Sequence, residues 1–149
     1  MTLQRLDTIL EHLLPIIRQF EGCKLTSYQC PAGVWTCGWG ATGEDIGPST
    51  KWTQEVADRV LRDTASEVIA QIIHASPTLA DVPTTRVAAL ADFVYNLGIG
   101  NYNSSTLKEC VDGGDWARAK TEILRWNKCK GKPLAGLTHR RALESEMLT

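Results

Sequence analysis

A carboxylate, a thiol and a hydroxyl stand at short intervals near the start of the chain. Eight residues separate Glu21 from Cys30, and five more separate Cys30 from Thr36, within the segment FEGCKLTSYQCPAGVWTCGWGATG. Hydrolysis of a glycosidic bond needs an acid that protonates the leaving oxygen and a second group that holds water across the sugar. The spacing therefore favours an inverting glycoside hydrolase, with Glu21 as acid and Cys30 with Thr36 as the water-positioning pair.

Each of these residues also has an ordinary structural role. Glu21 could be a solvated residue at a helix end, Cys30 a small buried apolar residue and Thr36 a routine strand residue. Cys30 could also attack the sugar directly, which would require a low thiol pKa. Only the three residues together indicate a catalytic site.

The elements that must hold these residues are an apolar first helix and a ribbon of short strands. Apolar residues recur at helical spacing from Leu3 to Ile17, which predicts an amphipathic helix that Pro15 either kinks or restarts. From residue 24 to 47, the triplets PAG, GWG and ATG alternate with β-prone residues. This alternation predicts short strands joined by turns.

The rest of the chain is predicted to be helical. Thr53 is expected to cap a helix of some six turns that ends near Ala75 and bridges two lobes. Further helices are predicted over 85–97, from Ser104 or Ser105 to Gly113, from Asp115 to about Asn127, and over 137–148, with KGKPLAG as a loop.

The whole pattern predicts one α+β domain over residues 1–149. Its lobes are expected at about 20–52 for the β-containing part and at 1–19 and 76–149 for the helical part, with 53–75 as the connecting helix.

Composition and charge bound the function only loosely. The chain has 149 residues, is 43% hydrophobic and carries a net charge of -1, so a buried core is expected and no strongly basic or acidic partner is indicated.

One stretch of the chain, between Trp116 and Arg141, is basic and contains a single acid, Glu122. Its basic residues are Arg118, Lys120, Arg125, Lys128, Lys130, Lys132, Arg140 and Arg141.

The five cysteines are expected to be free thiols in a reducing cytoplasm. Their number is odd, no secretory signal or membrane-spanning segment is predicted at the N-terminus, and a chain of this size needs no disulfide for stability. No pair of cysteines has CxxC spacing, so we expect no metal site.

Three segments, in this order, resemble bacteriophage-type lysozymes, the muramidase class of phage endolysins. Glu21, Cys30 and Thr36 match the family pattern of Glu, eight residues, Asp or Cys, five residues and Thr. FVYNLGIGNYNSSTL, from Phe93 to Leu107, resembles the family's FxxNxG segment with its following STL. WNKCKGKPLAGLTHRRALESEM, from Trp126 to Met147, resembles the family's tail of Trp, glycine loop, GL and an arginine pair.

The resemblance implies a lysozyme-like two-lobed fold and hydrolysis of the β-1,4 bond between N-acetylmuramic acid and N-acetylglucosamine in peptidoglycan, without a cofactor. It implies the same roles for Glu21, Cys30 and Thr36 as the spacing does. It also implies that Asn96 binds an acetamido group or the backbone near it. One arginine of the family's pair, Arg140 or Arg141, is expected beside the acid, and we favour Arg141.

The resemblance also implies partners and a location. The substrate is expected to be bacterial peptidoglycan, reached from the host cytoplasm after a separate holin-like factor permeabilises the membrane. We expect a monomer with no nucleic-acid partner and no membrane insertion.

Two other functions stay open at this point. A lytic transglycosylase on the same scaffold would need only the acid Glu21 and would leave an anhydro ring on the product. A non-catalytic wall-binding or nucleic-acid-binding helical module would use the basic stretch and would bind in a salt-dependent way.

Overall fold

The computed structural model describes residues 1–149 as seven α-helices, one 3₁₀ helix and two small antiparallel sheets. No helix is long and apolar enough to cross a membrane. In chain order the elements are α1 (Leu3–Glu21), β1 (Lys24–Gln29), β2 (Trp35–Gly38), β3 (Ala41–Thr42), α2 (Gln54–Ala75), the 3₁₀ helix (Pro77–Asp81), α3 (Thr84–Leu97), α4 (Ile99–Asn103), α5 (Thr106–Asp112), α6 (Trp116–Leu124), β4 (Lys128–Cys129), β5 (Lys132–Pro133) and α7 (Ala135–Met147).

Helix α1 carries the candidate acid to the surface of the core. The Thr2 hydroxyl caps it by accepting a 3.1 Å hydrogen bond from the Arg5 N–H. Its apolar face is buried, and the helix runs through Pro15 as one element. It ends at Glu21 because Gly22 adopts φ +64°, a left-handed conformation that stops the helix.

Helix α3 lies at the centre of the core. All eight residues from Val87 to Val94 are buried, and the helix contacts α1, α2 and α7. Seven of these eight are apolar, but Asp92 is a carboxylate with no exposed surface. A buried charge of this kind requires a partner, and the site described below contains it.

The first sheet is a ribbon in the order β1-β2-β3. A four-residue turn from Cys30 to Gly33 joins β1 to β2, closed by hydrogen bonds from the Gly33 N–H to the Cys30 carbonyl at 2.8 Å and from the Cys30 N–H to the Val34 carbonyl at 2.9 Å. Gly33 has φ +80°, which the hairpin needs at its last turn position. Cys30 therefore stands where the ribbon reverses direction.

Most predicted helices are confirmed at or near their predicted ends. Thr53 caps α2 and Gly98 ends α3, as expected. The helix α4 was not predicted, and α6 ends at Leu124, before Asn127. The prediction of a loop over KGKPLAG is only partly right. Lys130 and Gly131 form a turn with positive φ at both residues, but they join β4 to β5 in a small hairpin, and α7 already begins at Ala135.

Candidate active site

One oxygen of the candidate acid is held by an arginine that is itself fixed. Arg140 Nη1 donates a 2.6 Å hydrogen bond to Glu21 Oε1, and the Glu21 side chain keeps 23% of its surface exposed. The same guanidinium donates from Nε and Nη2 to the two oxygens of Asp92, at 2.8 and 2.7 Å. Because Asp92 and Arg140 are both buried, this two-point contact fixes the guanidinium in place.

The other oxygen of the acid lies against the turn between β2 and β3. A β-carbon built on Gly40 would lie 2.9 Å from Glu21 Oε2, and Gly40 has φ +88°. Only glycine can adopt this backbone conformation without strain and also approach the carboxylate so closely. The main chain of the turn is held by Tyr95, whose hydroxyl donates a 2.7 Å hydrogen bond to the Trp39 carbonyl.

The expectation that Arg141 lies beside the acid is wrong. Arg140 occupies that place, and Arg141 is fully buried, with Nη2 donating to Asn96 Oδ1 at 2.9 Å and to Glu144 Oε1 at 2.8 Å. Consecutive residues on a helix point about 100° apart, so the two guanidiniums of α7 must serve different partners. Both arginines are buried, and the predicted basic face therefore loses two of its charges.

A cavity of about 260 Å³ adjoins the acid. Asn96 lines it together with Glu21 and Arg140, so the structure brings these three residues to one space. Asn96 Oδ1 accepts from Arg141, which leaves the amide NH₂ as the polar group free to bind a ligand. The other lining residues are Phe20, Leu134, Gly136 and Leu137.

Cys30 and Thr36 lie on one face of the ribbon. Thr36 pairs with Tyr28 across β1 and β2, and Cys30 follows Tyr28 by two residues, so all three side chains share that face. The pKa of the Cys30 thiol is lowered, chiefly because the backbone N–H groups of Val34 and Ala32 stabilise the thiolate. The Thr36 side chain is buried, and its hydroxyl donates a 3.1 Å hydrogen bond to the Val34 carbonyl, which leaves the lone pairs of its oxygen to accept a hydrogen bond from water.

Tyr28 is a further polar side chain on the face that carries Cys30 and Thr36, since it pairs with Thr36 across the two strands. Partial burial raises the pKa of its phenol, and the negative charges of Glu21 and then Cys30 raise it further. None of these three ribbon residues lines the cavity beside Glu21. Sequence reasoning missed Tyr28, although its position two residues before Cys30 on a predicted strand could have indicated it.

The family model for phage lysozyme matches residues 18–144, which include Glu21, the ribbon and both arginines. This chain belongs to the phage lysozyme family. It is 37% identical over 145 residues to the endolysin of Acyrthosiphon pisum secondary endosymbiont phage 1, a match that covers 93% of this chain and 96% of that one. It is 34% identical to the endolysin of Bacillus phage B103, of which it spans only 49%.

Solved phage endolysins share the fold of this phage lysozyme. The active form of the P1 phage endolysin Lyz superposes with a TM-score of 0.80 at 22% identity, covering 99% of this chain and 93% of that one. The endolysin from Escherichia coli O157:H7 phage FAHEc1 gives a TM-score of 0.73 at 28% identity, with 99% and 91% covered. The predicted α+β lysozyme-like fold is confirmed.

The family also confirms the predicted enzyme class. This chain is a lysozyme-type glycoside hydrolase with a peptidoglycan-hydrolysing lysis function, as its family and its endolysin relatives show. A purely binding module built on the basic stretch is not favoured.

Removal of one partner from the buried pair of Arg141 and Glu144 is expected to destabilise the protein strongly. Neither side chain has exposed surface, and Arg141 Nε lies 2.7 Å from Glu144 Oε2, an ionic contact beside the better directed bond to Oε1. Glu144→Ala leaves the guanidinium buried without its counter-charge. We expect urea denaturation to show a loss of about 3–5 kcal/mol in the free energy of unfolding.

The exposed pair of Asp7 and Arg62 supplies the control for this measurement. Both side chains keep more than half of their surface in solvent at 2.8 Å separation. Asp7→Ala should therefore cost at most about 1 kcal/mol. Equal losses of unfolding free energy in Glu144→Ala and Asp7→Ala would show that burial does not strengthen the contact between Arg141 and Glu144.

Proposed function

We propose that this lysozyme hydrolyses the β-1,4 bond between N-acetylmuramic acid and N-acetylglucosamine with inversion at the anomeric carbon. Glu21 is the general acid, and Cys30 with Thr36 holds the attacking water. The observation that carries this assignment is the close approach of the ribbon to the acid, since a β-carbon on Gly40, two residues after the end of β2, would lie 2.9 Å from Glu21 Oε2. Thr36 lies on β2 and Cys30 at the turn that precedes β2, so we place the acid and the water-positioning pair on either side of one cleft.

The contacts of Glu21 suit a general acid that is held in one orientation. Arg140 donates to Oε1, and Asp92 compensates part of the arginine's charge. Oε2 accepts no hydrogen bond from the protein and is the oxygen from which the proton would pass to the glycosidic oxygen.

The chemical step balances with these three residues. Glu21 gives its proton to the glycosidic oxygen while the bond to the anomeric carbon breaks. A water held by the Thr36 hydroxyl attacks that carbon from the opposite face and gives a proton to the Cys30 thiolate. Glu21 then recovers a proton from solvent and Cys30 loses one, so that no cofactor is consumed.

Asn96 is proposed to orient the substrate. Asn96 lines the cavity beside Glu21, and its NH₂ group can donate to the carbonyl of an acetamido group. Arg141 is not exposed and is proposed to act through Asn96, by holding Oδ1 so that the NH₂ group is presented to the cavity.

Product analysis tests the proposed reaction. Purified peptidoglycan digested with the enzyme and analysed by mass spectrometry should give muropeptides with free reducing ends, because water is the acceptor. Products with an anhydro ring would instead show a lytic transglycosylase, which needs no water pair. Release of no fragments at all would contradict both reactions.

We also propose how the enzyme works in the cell. It acts as a monomer, with α2 joining a ribbon lobe to a helical lobe, and reaches the wall from the host cytoplasm only after a holin-like factor permeabilises the membrane. The family resemblance supports this order of events. Expressed alone in a host, the enzyme should cause lysis only after chloroform is added, and prompt unaided lysis would contradict the proposal.

A further inference from the structure

Two residues of helix α3 each hold a group that contacts one oxygen of the Glu21 carboxyl. Asp92 and Tyr95 are three residues apart, so they lie on neighbouring turns of one helix face. Asp92 fixes Arg140, which donates to Glu21 Oε1. Tyr95 fixes the Trp39 carbonyl, and the next residue, Gly40, lies against Glu21 Oε2.

Tyr95 acts on the main chain of the turn between β2 and β3. The Trp39 indole is held separately, since Nε1 donates to Asp58 Oδ1 at 2.8 Å and the Arg18 guanidinium lies 5.9 Å from the ring centre. The phenol of Tyr95 instead holds the carbonyl beside Gly40 at 2.7 Å. Burial, with the charge of Glu21, raises the pKa of this phenol, so it stays a hydrogen-bond donor throughout the neutral range.

We propose that Tyr95 is a positioning residue for the acid, which it reaches through the backbone of Trp39 and Gly40. This inference rests on the proposed role of Glu21 as general acid. With the hydroxyl in place, the turn holds Oε2 in one position. Without the hydroxyl the turn can move, and the carboxyl group is held less firmly in the orientation that proton transfer requires.

Tyr95→Phe tests this role because it removes one oxygen and keeps the ring. We expect kcat on peptidoglycan to fall about tenfold, as for a slightly misplaced catalytic group, with KM changed less than about twofold. A purely structural contact would lower thermal stability without this selective loss of kcat.

Tyr102→Phe is the matched control. Its hydroxyl also makes a 2.7 Å hydrogen bond, to Ser76 Oγ, but in the core of the helical part of the molecule. Tyr102→Phe should lose a similar amount of thermal stability and leave kcat and KM unchanged. If Tyr95→Phe behaves like Tyr102→Phe in all three measurements, the proposed role of Tyr95 is overturned.

Gly40→Ala probes the same contact from the side of the turn. The added methyl group meets Oε2 directly, so kcat should fall at least as far as in Tyr95→Phe, and an unchanged kcat overturns the proposal.

Glu21→Gln distinguishes a failure of the proposed role of Tyr95 from a failure of the proposed function. If Glu21→Gln keeps its turnover, the proposed function itself fails. If Glu21→Gln is inactive while Tyr95→Phe matches the wild type, only the role of Tyr95 fails.

Discussion

Glu21→Gln should lower peptidoglycan turnover by at least about 10³-fold while the protein stays folded. The amide has the shape of the carboxylic acid but cannot give a proton to the leaving oxygen. Its carbonyl can still accept the hydrogen bond from Arg140, so the buried contacts with Asp92 remain. Turnover is measured as the release of reducing ends, and folding by circular dichroism and thermal unfolding.

Glu11→Gln is the matched control for this loss, because it makes the same chemical change at an exposed position of the same helix. Its activity should equal that of the wild type. Turnover of Glu21→Gln close to the wild-type value would end the assignment of Glu21 as the acid. An unfolded Glu21→Gln protein would show instead that the carboxylate is needed to compensate Arg140.

Cys30→Ala should lower kcat by about 10²-fold, because the methyl group can neither take a proton from water nor hold it. Cys30→Asp should keep much of the activity, since a carboxylate can do both. Cys129→Ala is the control, as Cys129 is exposed on β4 and distant in sequence from the ribbon. Full activity of Cys30→Ala would remove the thiol from the mechanism and leave Thr36 alone to hold the water.

The pH dependence of the Cys30 variants follows from the chemistry of the base. A base works only when ionised, so activity is lost as the pH falls through its pKa. The N–H groups of the hairpin turn lower the pKa of Cys30, which places the acid limb of the wild-type profile below the ordinary thiol range. In Cys30→Asp this limb should move to still lower pH, since aspartate titrates near about 3.9 and cysteine near about 8.5 in model peptides.

Features governed by neighbours in sequence were predictable. The helix starts at Thr53 and Asp115 were predictable because each residue precedes a helical pattern, and each side chain accepts a hydrogen bond from the first turn. For α5 the sequence left Ser104 and Ser105 as alternatives, and the structure has Ser105 as the cap. The hairpin β4–β5 was missed because two-residue strands are too short to show an alternating pattern.

Contacts between distant segments could not be predicted in the same way. Which arginine meets Glu21 depends on the rotation of α7 against α3, and this rotation is set by packing of the whole core. Asp92 was not singled out, because within an apolar helical pattern nothing shows that it pairs with Arg140, 48 residues later. The basic stretch was overestimated for the same reason, since burial of two of its arginines depends on tertiary partners.

The surroundings of Glu21 depend partly on neighbours in sequence and partly on contacts between distant segments. Glycines in the turn between β2 and β3 were recognised as turn residues, but the approach of Gly40 to Glu21 Oε2 depends on how α1 meets the ribbon. The hydrogen bond from Tyr95 to Trp39 likewise joins α3 to that turn across 56 residues. Sequence spacing thus indicated the reacting groups, whereas the residues that hold these groups in place could be identified only from the structure.

The stereochemistry of the first product tests the central claim most directly, namely that the acid and the held water stand on opposite faces of one β-linked sugar. Proton NMR of the anomeric region is recorded in the first minutes of digestion of a soluble peptidoglycan oligomer, before mutarotation equilibrates the anomers. An α-configured reducing end that appears first is the predicted result. A β-configured reducing end appearing first, or an anhydro product, would contradict it.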